Sequence, residues 1–137
     1  MRAREPSSRG TVVRDGVRVD YDVYVALDPA TPAAPPIVLL TSWAIVHMRQ
    51  WKAQVPYLAR HFTVITVEGR GNGRADRPQD AAAYADREYV ADVIATMDAT
   101  GTGRAVIVGL SMGGRHALQL AAWHPDRAAG VVAIGTA

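Results

Sequence analysis

The stretch Gly109-Leu110-Ser111-Met112-Gly113-Gly114 constrains the fold of this chain more than any other. It lies between the apolar run Ala105-Val106-Ile107-Val108 and a helical pattern from Arg115 to Trp123. A short, continuous apolar run ending in glycine predicts a buried strand, and the pattern beyond predicts a helix. A strand and a helix joined by G-x-S-x-G make a nucleophile elbow, here with Ser111 at its apex. So tight a turn forces Ser111 into a strained backbone conformation, and a side chain at Gly109 or Gly113 would collide with the opposing segment. The strain lifts the Ser111 hydroxyl out of the sheet. The helix start aims its unpaired N–H groups, Met112 first, at negative charge developing on a substrate.

The remaining composition narrows the class. A chain of 137 residues, 49% hydrophobic and 20% charged, reads as one globular domain able to bury a core. Its net charge is +2, and its arginines are scattered rather than blocked, so the basic balance does not point to nucleic acid. There is no cysteine, which excludes disulfides, thiol catalysis and a thiolate zinc site. No run approaches the ~18 apolar residues of a membrane span. No apolar segment follows the basic Met1–Pro6 as a signal peptide requires. The expectation is a cytoplasmic protein without membrane or nucleic-acid partners.

Taken in order, residues 1–10 read as a tail and residues 11–137 as the domain. Alternating residues flank Asp15-Gly16, a strong hairpin signal. Asp28 to Pro36, rich in Pro and Ala, reads as a connecting loop. Ile37–Leu40 has the continuous apolar character of a strand covered on both faces. Trp51, Val55, Leu58 and Phe62 share one helical face, which Pro56 should kink or split. Phe62–Val67 reads as a strand, Glu68–Arg77 as a loop, and Ala83–Ala99 as a helix with Tyr89, Val90, Val93, Ile94 and Met97 as its apolar stripe. Asp86, Glu88, Asp92 and Asp98 fall mostly outside that stripe. Gly101 and Gly103 close the helix, and Pro125 ends the one after the elbow. Ala129–Gly135 is a last apolar strand. The predicted fold is α/β: a doubly wound, mostly parallel sheet with an antiparallel N-terminal hairpin.

Four local patterns together resemble the α/β-hydrolase superfamily. They are Leu39-Leu40-Thr41-Ser42-Trp43, the segment Trp51–Ala59, the loop Glu68–Pro78, and the elbow with its trailing His124-Pro125-Asp126-Arg127. Thr41–Trp51 and Arg70–Gly73 also look like hydrolase modules found fused to nucleotide-cyclase or regulatory domains. The resemblance implies an oxyanion hole from the backbone N–H groups of Trp43 and Met112. Where many members carry His-Gly after the strand, this chain has Thr41-Ser42; where Asp is commoner, it has Glu68, read as structural.

A third departure decides how much activity to expect. The family's triad runs Ser, then Asp or Glu, then His along the chain. After Ser111 the only acid is Asp126, and no His follows it. His116 lies five residues past Ser111, and His124 lies about three helical turns, ~20 Å, away. His61 sits at a helix end, and His47, in the loop after the first parallel strand, lies nearest the expected pocket; all four read as helix-end, loop or surface histidines rather than as the catalytic base. The resemblance therefore implies a fold present only through about its sixth strand. Val131, Val132 and Ile134 would form an apolar edge open to self-association.

Two functions follow. The first is a serine hydrolase forming an acyl-enzyme with an ester or related small acyl substrate, poorly active in this chain, with no metal and no cofactor. Because the nucleophile is Ser, the resemblance disfavours the dehalogenase and epoxide-hydrolase branches, which use Asp; a perhydrolase or acyltransferase stays open. The second is a non-catalytic, hydrolase-like binding or regulatory module. Trp43, Ile45 and Met48 are candidate apolar lining of the site.

Overall fold

Asp15 and Gly16 adopt φ values of 50° and 76°, the left-handed pair that a two-residue hairpin turn requires. They close strand β1 (Ser8–Arg14) onto β2 (Val17–Tyr24), with Arg14 opposite Val17 and Ser8 opposite Val23. The hairpin thus starts three residues before the alternation suggests. Backbone pairing continues through Ser8-Arg9-Gly10 without needing an apolar pattern, and only the residues before Ser8 form a tail. That tail is tethered, since the Arg4 guanidinium donates to the carbonyls of Ala59 (2.8 Å) and Val25 (2.6 Å). This computed structural model describes residues 3–43 and 46–136.

Beyond the hairpin come β3 (Ile37–Leu40), α1 (Gln54–Leu58), β4 (Val64–Glu68), α2 (Asp86–Ala99), β5 (Ala105–Leu110), α3 (Met112–Trp123) and β6 (Ala128–Ile134). Strands β3 to β6 are parallel, β2 pairs antiparallel with β4, and the sheet order is β1-β2-β4-β3-β5-β6. Period-two alternation splits the core between the faces. Val38, Leu40, Ile65 and Val67 pack with Val90, Met97 and Leu120 of α2 and α3. Ile37, Leu39 and Val64 pack on the other face with Trp51 and Val55. Helices on both faces make the sheet doubly wound, as expected. Pro56 is the third residue of α1, where no intrahelical partner for its N–H is needed, and a separate 3-10 turn, Met48–Trp51, precedes it.

The ionic core was the least expected feature. Asp92, read as outside the apolar stripe of α2, is 1% exposed and receives both Nε (2.7 Å) and Nη2 (2.8 Å) of Arg70, itself 2% exposed. Arg14 of β1 adds its Nε at 2.9 Å and also reaches Glu88. Arg70 further donates to Ala83 O at 2.6 Å. Helical periodicity cannot reveal such a carboxylate, because its cations come from a hairpin 78 residues away and a loop 22 residues away. Removing one partner of a buried pair leaves a bare charge, so Asp92→Ala should cost about 3–5 kcal/mol in urea denaturation. Replacing Arg70 and Asp92 together by Met and Leu should cost much less.

At the other end of the sheet, β6 has no second neighbour among the described residues. Register places Val108 beside Val132 and Leu110 beside Ile134 on the face that carries α1. Leu110, Val132 and Ile134 are all exposed there. No helix among the described residues is long and apolar enough to cross a membrane. We propose that the apolar edge drives self-association. Sedimentation velocity should show concentration-dependent oligomers that Val132→Lys reduces; a monomer at every concentration would sink the idea.

Candidate active site

β5 runs directly into α3 through one strained residue. Ser111 has φ 55° and ψ −120°, a conformation L-residues adopt only when the surroundings over-determine it. Two close backbone approaches do so. A Cβ on Gly109 would overlap the Gly113 carbonyl, and a Cβ on Gly113 would overlap the Thr41 carbonyl. The end of β6 and the residues just past it add two further restraints: Ser111 N–H donates to Ile134 O (2.8 Å), and Thr136 Oγ1 donates to Ser111 O (3.0 Å). The expected glycines and serine therefore occupy a strand–turn–helix of the expected shape. The helix starts at Met112, three residues earlier than its apolar pattern suggests.

Ser111 faces an open depression of ≈ 380 Å³ whose walls include Ser42, Trp43, Met112 and Arg115. Met112 is the first residue of α3, so its N–H is one of four without an intrahelical acceptor. Trp43 follows β3 in a bend, and its side chain is 64% exposed. The loop holding Trp43 lacks the His-Gly pair but is braced differently. Thr41 Oγ1 accepts from Asn72 Nδ2 at 2.8 Å. The Gln50 amide, its nitrogen turned to Ser42 Oγ (2.9 Å), accepts from Ser42 N–H (3.2 Å) through its oxygen. Ile45 lies outside the described residues.

Two neighbouring expectations need correction. His47 does not approach Ser111. It caps the 3-10 turn, its Nδ1 accepting from Arg49 N–H (3.0 Å), while Nε2 lies 3.1 Å from Glu68 Oε2. That turn folds back beneath the sheet, and Glu68 holds it by accepting from Met48 N–H at 2.8 Å. Met48 and His47 line a separate cavity of ≈ 300 Å³ with Asp22, Tyr24 and Thr66. Glu68, wholly buried, is structural as read. No His, Asp or Glu lines the Ser111 depression among the described residues.

His116 has a partner of its own that sequence reasoning missed. Its Nε2 lies 3.0 Å from Asp86 Oδ1, and its ring stacks on Tyr89 at 4.6 Å between centroids. Asp86 also accepts from Gln119 (2.8 Å) and Arg115 (2.9 Å). The i, i+3 and i+4 spacing of residues 115, 116 and 119 could have suggested a shared acceptor. These bonds, that from Gln119 foremost, hold the Asp86 carboxyl below the usual range. Burial pushes His116 below its ordinary value of 6.5 despite Asp86. It is therefore neutral, and its Nε2–H donates to Asp86.

A family profile for the alpha/beta hydrolase fold matches residues 35–137. The chain belongs to that family. Epoxide hydrolase B of Mycobacterium tuberculosis is 36% identical over 115 residues, covering 80% of this chain and 31% of that protein. Est816, described as an N-acyl homoserine lactone degrading enzyme, superposes with a TM-score of 0.81 at 35% identity, covering 93% of this chain and 45% of that one. The enol-lactonase of Burkholderia xenovorans LB400 superposes with a TM-score of 0.78 at 30% identity, covering 93% and 47%. This hydrolase-fold chain thus spans about a third of that curated relative and just under half of each solved neighbour.

The α2–α3 lock predicts a pH dependence. Because the folded His116 pKa is lowered, the unfolded chain binds that proton first as pH falls. Stability from this group is complete above 6.5 and is lost on acidification until the folded ring also protonates; Asp86, also lowered, adds a loss nearer 3.8. The Tm should fall between about pH 7.5 and about pH 5.5, and His116→Gln, which keeps an N–H donor, should flatten that fall.

Proposed function

We propose that Ser111 is the nucleophile of a serine hydrolase acting on esters, lactones or related acyl groups through an acyl-enzyme. The observation that carries this reading is the strained Ser111 at the junction of β5 and α3, facing an open depression. In the reaction Ser111 Oγ adds to the acyl carbon as its proton passes to a base. The N–H groups of Met112 and Trp43 stabilise the resulting oxyanion. Collapse expels the alcohol with a proton returned by that base, and water then releases the acid.

The lactone-degrading names of two solved neighbours support an acyl substrate. The epoxide-hydrolase name of the curated relative points to different chemistry, but Ser at the apex favours acyl transfer. Water, peroxide or an alcohol could each intercept the acyl group.

A second reading rests on the lack of a base. With no imidazole beside Ser111 among the described residues, the oxyanion hole and binding would leave at most about 10³–10⁴-fold over water. This chain would then act as a hydrolase-like binding module. A fluorophosphonate probe separates the two. Slow, Ser111-dependent labelling, abolished in Ser111→Ala, is expected for a positioned but unassisted nucleophile. Labelling no faster than that of free serine would overturn the nucleophile assignment.

A further inference from the structure

Among the described residues, Arg115 is the only charged side chain lining the Ser111 depression. Its backbone N–H donates to Ser111 O (3.1 Å), which fixes it one helical turn along α3 from the nucleophile. The side chain is 49% exposed, and among the described residues one of its donors is used, Nη2 to Asp86 Oδ1 at 2.9 Å. A guanidinium has five N–H donors in a fixed fork, so most of this one's capacity is open to the depression. The bond to Asp86 is also dispensable to Asp86, which keeps Gln119 Nε2 and His116 Nε2 if Arg115 turns away. Among the described residues, no side-chain carboxylate lines the depression to compete for the fork. The exposed Trp43 ring stands in the same wall and offers an apolar surface for the carbon chain between two polar groups.

We propose that Arg115 selects acyl substrates that carry a carboxylate, such as half-esters of short dicarboxylic acids. This rests on Ser111 being the nucleophile. Four residues of helix span about 6 Å, so the matching carboxylate sits three or four carbons from the carbonyl that Ser111 attacks. A bidentate Arg–carboxylate pair discriminates strongly against the neutral diester, because the diester cannot accept both N–H bonds as an anion.

The test compares monomethyl glutarate with dimethyl glutarate on the ¹⁵N-labelled chain, reading the Arg115 Nε–H and Met112 N–H resonances. The half-ester should bind about 10- to 100-fold more tightly. Arg115→Gln should abolish the preference, and Arg115→Lys, which keeps charge but loses the fork, should give an intermediate value. Equal affinity for both ligands, or a preference that survives Arg115→Gln, would overturn the proposal. Should the Gln variant fail to fold, the Lys variant carries the test: an unchanged preference there removes the fork from the argument. Fluorophosphonate labelling keeps the two ideas apart. Labelled Ser111 without a half-ester preference sinks the Arg115 assignment alone, whereas an Arg115-dependent preference at an unreactive Ser111 supports anion selection and sinks the nucleophile.

Discussion

At the elbow, backbone meets backbone with no side chain between them. The Gly113 backbone rests against the Thr41 carbonyl, and Gly109 rests against Gly113. These two approaches bring α3 against the ends of β3 and β5, and the remaining geometry of the site follows. Met112, Trp43 and Arg115 then line one depression with Ser111. Even one methyl group at either glycine would push the helix away, because packed interiors have no slack to absorb it.

The charged residues divide into groups that never meet. Arg70, Asp92, Arg14 and Glu88 tie the post-β4 loop and the hairpin to α2. Asp86, with His116, Gln119 and Arg115, ties α2 to α3. Glu68 holds the turn after β3 through Met48 and His47. Each group fastens two elements that backbone bonds do not connect. His47 and His116 of this hydrolase-fold chain each stand beside a structural carboxylate, Glu68 and Asp86.

The features legible in the sequence were those with a local cause. The Asp15-Gly16 turn, the fully buried Ile37–Leu40 strand and the G-x-S-x-G elbow each follow from residues within a few positions of one another. The two short helical pieces around residues 48–58 are of the same kind, with Pro56 seated in the first turn of α1. Features with distant causes were not legible. Asp92 looks like any polar residue on a helix until Arg70 and Arg14 are brought to it. His47 is near Trp43 in sequence, but it caps a 3-10 turn, stands beside Glu68 and lines a different cavity. Ser111, Met112 and Trp43, singled out together in the sequence, line one depression. The Asp86–His116 pairing was not legible, because it depends on how two helices lie together.

The strain in Ser111 also has a place in time. Its N–H is held by Ile134 and its carbonyl by Thr136, 25 residues further along. A backbone in this conformation persists only while its neighbours enforce it, and Ile134 of β6 and Thr136 just past it supply two of those restraints. During synthesis β3, β5 and the start of α3 therefore emerge before the two residues that hold the Ser111 backbone. Ser111 is fixed in this conformation only once Ile134 and Thr136 have emerged and docked. The motif at the elbow is entirely local, but the restraints that hold it are not.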